Sequence, residues 1–126
     1  MKKPKPSALE LQILGVLWEK ETAKAREVLE AMPDSKPRAY TTILSVLQGM
    51  EKKGFVKRAT SGVAHIWRAK VSREQATTPV LRELIQNAFG GSPAMALQQL
   101  LGSEKVSPEE LDELRKILDD AKKGGQ

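Results

Sequence analysis

Apolar residues recur at three- and four-residue spacing through most of the chain, and this spacing predicts helices. Within residues 40 to 54, Ile43, Val46, Leu47 and Met50 form one such stripe, a face that must be buried. The opposite face of the same segment carries Thr41, Ser45, Gln48 and Lys52, where a solvated helix normally shows Glu/Lys pairs. Short neutral side chains of this kind allow close approach to another surface. Gly49 adds a position where the backbone itself can come near, at a helix cost of about 1 kcal/mol relative to Ala. Two more periodic segments precede this one. Ser7 and Glu10 form a Ser-x-x-Glu capping box, opening a helix from about 8 to 20 whose buried face is Leu9, Ile13, Leu14, Leu17 and Trp18. Trp18 continues that stripe and reads as a core anchor. Thr22 is expected to cap a second helix over residues 23 to 32 that buries Ala25, Val28 and Leu29, with Met32 at its margin, before Pro33 ends it.

Beyond Gly54 the pattern changes. Phe55 to Thr60 and Ala64 to Lys70 are enriched in aromatic and β-branched residues and are joined by Ser61-Gly62-Val63, a length suited to a hairpin. Alternation is imperfect, so the faces taken by His65 and Trp67 stay open. Three helices followed by a hairpin is the winged helix-turn-helix plan, in which the last of the three helices enters the DNA major groove and the hairpin flanks it. On that plan Thr41, Thr42 and Ser45 are candidates for contacts to base edges, because such side chains can hydrogen-bond bases or pack a methyl against thymine. Gln48 follows on the same face, and Lys52 suits a phosphate. Lys36 and Arg38, in the linker Asp34 to Arg38, stand where they can meet phosphates or remain solvated loop charges. Arg58 and Arg68, with Lys57, make the hairpin basic, as a wing along the sugar-phosphate backbone requires. Tyr40 is either a staple against the core or a hydroxyl donor to a phosphate. His65, the single histidine, reads as a strand surface residue.

The remaining chain is helical again. Ser72 can cap a helix carrying Val80, Leu81, Leu84, Ile85, Ala88 and Phe89, with Pro79 near its start or at a kink, and Gly90-Gly91 breaks it. A shorter helix with Met95, Leu97, Leu100 and Leu101 follows, and Gly102-Ser103 is expected to form a second break. Ser107-Pro108-Glu109-Glu110 then starts a last helix with the stripe Leu111, Leu114, Leu118 and Ala121. Three short amphipathic helices bury too little surface to be secure alone, so a second copy of the chain is the economical partner. Leu81, Leu84, Ile85, Leu97, Leu100, Leu111, Leu114 and Leu118 are the expected dimer contacts. The competing arrangement folds these helices back as one monomeric core. The expected division is a DNA-binding domain over residues 1–71 and a helical dimerisation region over 72–126, a mainly α fold with one small β-hairpin.

Composition narrows the function. The 126 residues are 40% apolar and 29% charged, ordinary for one domain with an appendage. The net charge of +5 is unevenly distributed: residues 1–70 hold 14 Lys+Arg against 7 Asp+Glu, and residues 71–126 hold 7 against 9. Only the first part has the electrostatic footprint of a polyanion binder. Lys2, Lys3 and Lys5 form a basic arm that either meets a phosphate or has no role. The absence of cysteine excludes disulfides, thiolate catalysis and Cys-based metal sites. With no long apolar run and no signal-peptide pattern, the expected location is the cytoplasm, with no membrane partner. No nucleotide-binding loop, His-Glu-x-x-His or nucleophilic constellation is present, so neither an enzyme nor a cofactor or metal site is expected. Glu109-Glu110 and Asp119-Asp120 read as solvated helix carboxylates, the first pair also favouring the helix dipole.

Three stretches, in this order and spacing, carry a family resemblance: Leu9 to Trp18; Ala39 to Leu47 with Glu51 to Gly54; and His65 to Ala69 followed by Val71 to Glu74. Through them residues 7 to 120 resemble the penicillinase-repressor family, winged-helix regulators that include the repressors of β-lactamase and of methicillin resistance and a copper-responsive branch. The resemblance implies a homodimer that occupies a palindromic operator in double-stranded DNA and blocks transcription. It also implies a sensor-linked protease as partner, since the β-lactam-responsive members are cut at an Asn-Phe bond shortly before the last helix. The corresponding stretch here, Gln98-Gln99-Leu100-Leu101, lacks that bond, yet a cut there would still detach Leu111, Leu114 and Leu118. The copper branch's cysteine-rich site has no counterpart. The alternative function is a winged-helix module that binds protein without specific DNA binding, since a fold does not fix a function. The basic bias of the first part is the feature that separates the two.

Overall fold

Helix α1 (Ala8–Lys20) begins where the sequence puts it. Ser7 Oγ accepts from the Glu10 amide at 3.2 Å, and Glu10 Oε1 accepts from the Ser7 amide at 2.8 Å. The second oxygen of Glu10 accepts from Lys53 Nζ at 2.9 Å. Glu10 is buried, so one carboxylate caps α1 and ties it to the last turn of α3 (Tyr40–Lys53). The structure, a computed structural model, describes residues 5–61 and 64–124. Lys2 and Lys3 of the basic arm, and Gly62 and Val63 of the hairpin turn, lie outside the described residues.

The core forms around the predicted stripes. Ile13, Leu14 and Leu17 of α1, Val28 of α2 (Ala25–Glu30), and Ile43, Leu47 and Met50 of α3 are fully buried together with Val56 and Trp67. Leu44 and Val46 are half-buried against them. Gly54, at φ +85°, gives α3 its left-handed exit, and the Phe55 amide turns back to the Met50 carbonyl at 2.9 Å. The hairpin follows directly. Strands β1 (Val56–Ser61) and β2 (Ala64–Ala69) pair antiparallel from Val56↔Ala69 to Ser61↔Ala64.

Residues 22 to 24 depart from the sequence expectation. Thr22 does not cap α2, and the helix runs from Ala25 to Glu30 rather than from 23 to 32. Ala23 is instead bridged to Trp67, its amide donating to the Trp67 carbonyl at 3.0 Å and its carbonyl accepting from the Trp67 amide at 2.8 Å. A residue whose two backbone groups both serve a strand cannot enter a helix. The helix start therefore moves to Lys24, whose amide donates to Glu27 Oε1 at 2.7 Å.

Trp18 is half-buried against the core, and its indole N–H donates to the Val71 carbonyl at 2.9 Å while Arg73 lies 4.9 Å from its ring. This strut fixes the approach to α4 (Arg73–Ala88), which opens on a reciprocal cap between Ser72 and Gln75 and adds Ala76 to the core. Pro79 lies inside α4. The chain forms two compact units, one up to Arg82 and one from Glu83. The second unit contains the end of α4, α5 (Pro93–Ser103), capped by Ser92, and α6 (Pro108–Gly124), capped by Ser107. Gly102 and Ser103 do not break the chain as expected. They form the last turn of α5, because the ladder runs on to the Glu104 amide on the Leu100 carbonyl at 3.1 Å, which offsets the modest helix cost of one glycine.

Glu10 makes stability pH-dependent with a defined sign. Burial alone would raise its carboxyl, but the hydrogen bonds from Lys53 and Ser7 outweigh burial and hold it below its ordinary value. A depressed folded value stabilises the fold above the unfolded carboxylate range, and that contribution is lost as pH falls through the folded value. Thermal melts from pH 7 to pH 3 are expected to fall less steeply for Glu10→Gln than for the parent. At pH 7, Glu10→Ala is expected to cost about 1–3 kcal/mol from the lost cap and pair.

Candidate nucleic-acid interface

The inner face of α3 is anchored by three fully buried residues, so its outer face is held rigidly. Thr41, Thr42, Ser45, Gln48 and Lys52 are all exposed there and make no side-chain hydrogen bond or ion pair with another described residue. From Thr41 to Lys52 the face runs about 17 Å at a rise of 1.5 Å per residue. A slender rod with unsatisfied hydroxyl and amide groups on one side matches a major groove about 12 Å wide.

The flanking cations fall into two classes. Arg38 donates through Nη1 and Nη2 to Asp34 Oδ1 and Oδ2 at 2.8 and 2.7 Å, and the Lys36 amide donates to the same Asp34 Oδ1 at 3.2 Å. The Arg38 guanidinium holds the Asp34 carboxyl well below the usual carboxylate range. Arg38 is thus partnered and half-buried, whereas the Lys36 side chain is exposed and acts on Asp34 only through its charge, without an ion-pair contact among the described residues. In the hairpin, Arg58 pairs with Glu51 at 3.2 Å and lies 5.4 Å from the Trp67 ring. Lys57 and Arg68 are directly opposite each other across the strands, both exposed and neither with an acidic partner among the described residues. Like charges in that register repel.

The structure also settles the faces that imperfect alternation left open. Trp67 is fully buried and His65 is exposed. Tyr40 stands outside the core, 40% exposed, with the Arg26 guanidinium 5.4 Å from its ring centroid. His65 and Tyr40 line a pocket of about 550 Å³ together with Lys24 and Arg26. Lys24 and Arg26 were not singled out from the sequence, and His65 was read only as a strand surface residue, because only the pairing of Ala23 with Trp67 brings the start of α2 against β2. Among the described residues no group of acids, histidines or cysteines could hold a metal ion, and no helix is long and apolar enough to cross a membrane.

The apolar positions of the second half have another character. Leu81, Leu84, Leu100 and Leu118 are each more than half exposed, Leu111 is also exposed, and Ile85, Leu97 and Leu114 are half-buried. No described residue of the second unit is buried. Met95 and Ile117 are equally exposed; Met95 was read as part of the α5 stripe but not as a dimer contact, and Ile117 was not singled out, although it follows Leu114 by three residues on the same stripe.

Residues 6–120 match the penicillinase repressor family model. The chain belongs to the penicillinase repressor family. Its relatives include the transcriptional regulator BlaI of Mycobacterium tuberculosis, 30% identical over 118 residues, covering 92% of this chain and 84% of that protein. The penicillinase repressor of Staphylococcus aureus is 21% identical over 117 residues, covering 93% of each chain. The solution structure of the DNA binding domain of the repressor BlaI aligns with a TM-score of 0.50 at 22% identity, covering 57% of this chain and 88% of that one. It shares the winged-helix fold. This is a family of repressors rather than of enzymes.

For this family member, the pairing of Lys57 with Arg68 generates a stability test. Arg68→Glu replaces a repulsive cross-strand pair by an attractive one and is expected to stabilise the free protein by about 0.2–1 kcal/mol in a denaturant melt. A destabilised variant would contradict the idea that this pair is under electrostatic tension.

Proposed function

We propose that the protein is a homodimeric, sequence-specific transcriptional repressor that works in the cytoplasm on a palindromic operator in double-stranded DNA. The observation that carries this reading is the outer face of α3, rigidly backed, exposed and without internal partners. Thr41, Thr42, Ser45 and Gln48 read base edges, and Lys36, Lys52 and Arg68 meet phosphates. Tyr40 is the residue flanking the helix start that can donate its hydroxyl to the backbone. Arg38 and Arg58 contribute through the N–H groups not directed at Asp34 and Glu51. Membership of a repressor family supports the same reading.

A dimer is supported by the second half of the chain. Helices whose large apolar side chains remain more than half exposed, in a unit with no buried residue, need another surface to cover them. A second copy provides it at no cost in specificity, with residues 1–71 binding DNA and 72–126 forming the dimer. Release would follow a cut at Gln98–Leu101 by a sensor-linked protease. These residues lie within α5, so its C-terminal turns must open first.

Titration with a duplex selected from a random library, at two salt concentrations, tests the reading. Affinity is expected to fall steeply as salt rises, and Thr42→Ala and Ser45→Ala are each expected to lose about 1–3 kcal/mol of discrimination between selected and random duplex. Arg68→Glu should weaken both duplexes alike. Unchanged selectivity in the α3 variants would overturn the assignment of these residues to base edges, and failure of the parent to bind duplex would favour a protein-binding module instead. Sedimentation is expected to give a dimer for the parent and a monomer for Leu114→Lys or Leu118→Lys. A monomeric parent at micromolar concentration would contradict the dimer.

A further inference from the structure

The pocket lined by Lys24, Arg26, Tyr40 and His65 has an apolar base at Leu44 and Trp67 and no carboxylate among its lining residues. Its polar side chains are therefore two cations, an imidazole and a phenol. Lys24 and Arg26 have no acidic side-chain partner among the described residues. Arg26 is steadied by its position over the Tyr40 ring. Trp67 lines the same pocket, and its buried indole N–H has no acceptor among the described residues. A negatively charged group rich in oxygen suits these four polar side chains and the indole N–H.

The place of the pocket selects which anion. Leu44 precedes Gln48 by one helical turn and follows Thr41 by three residues, so the pocket opens beside the outer face of α3. Its other wall is β2, one strand of the hairpin. If α3 lies in a major groove and the hairpin lies along the backbone, the sugar-phosphate strand bordering that groove crosses the gap between them. That gap is this pocket. We propose that it seats a phosphate of the DNA backbone, held by Lys24 and Arg26 with His65 and Tyr40 at its rim. The proposal rests on the DNA-binding reading above and adds to it a contact that fixes the register of α3 in the groove without reading sequence.

The test compares the full-length parent with Lys24→Ala, Arg26→Ala and Arg26→Lys, on the selected duplex and on a random one, across a salt series. Each phosphate contact contributes about 0.9 to the slope of log affinity against log salt. Each alanine variant is expected to reduce the slope by about that amount and to lose roughly five-fold in affinity at about 0.15 M salt, equally on both duplexes. Arg26→Lys is expected to keep most of both, and all variants should melt as the parent does. A second arm titrates inorganic phosphate against the Trp67 indole N–H resonance. A parental slope in both alanine variants, beside a steep slope in the parent, would overturn the proposal while leaving the DNA-binding reading intact. Saturation by inorganic phosphate with unaltered slopes would assign the pocket to a free anion and equally overturn it. A parent that binds no duplex would fail the earlier reading, and this one with it.

Discussion

Trp67 determines where the hairpin stands. Its side chain is fully buried among residues from the three helices, and its backbone exchanges two hydrogen bonds with Ala23. One residue therefore fixes β2 both to the hydrophobic core and to the segment between α1 and α2. The consequences spread in both directions along the chain. Ala23 is drawn out of the helix that the local pattern would allow, and Arg58 gains a ring to pack over. Because α3 is buried against the same core, its distance from the hairpin is set by packing rather than by a flexible turn. A rigid pairing of groove-reading helix and flanking hairpin is what a winged helix needs to meet two features of a duplex at once.

On that scaffold, the chemically informative side chains are those left without partners. Thr41, Thr42, Ser45 and Gln48 keep their hydrogen-bonding capacity, and Lys57 faces Arg68 across the hairpin in an arrangement that a bound anion would relieve. Arg38 and Arg58 differ, each being held by a neighbouring acid. Such pairs orient a guanidinium without neutralising the surface, since Asp34 and Glu51 are few among many cations in residues 1–70. The second half follows a different rule. Most of its leucines and Ile117 stay exposed, and its net charge is slightly negative where residues 1–70 are strongly basic.

Much of this was legible in the sequence. The ends of α1 and α3 followed from the Ser7/Glu10 box and from Gly54, because local hydrogen bonds and a left-handed glycine decide those boundaries. Residues 22 to 24 were misread because a one-residue bridge leaves no periodicity, and tertiary pairing with Trp67 overrides Thr22's capping preference. Gly102 was misread because a single glycine lowers helix stability without forbidding helix. The Glu10–Lys53 pair and the gathering of Lys24, Arg26 and His65 depend on contacts between residues distant in sequence, and no local pattern marks them. Arg38 with Asp34 was visible in principle, being an acid and a base four residues apart.

The outer face of α3 and the basic hairpin are proposed to form the DNA surface together. Amide and side-chain NMR shifts recorded while the full-length protein is titrated with the selected duplex address it most directly. The largest changes are expected at Thr41, Thr42, Ser45, Gln48, Lys57 and Arg68, with little change along α6. Changes concentrated on α5 and α6, with α3 undisturbed at saturation, would contradict it.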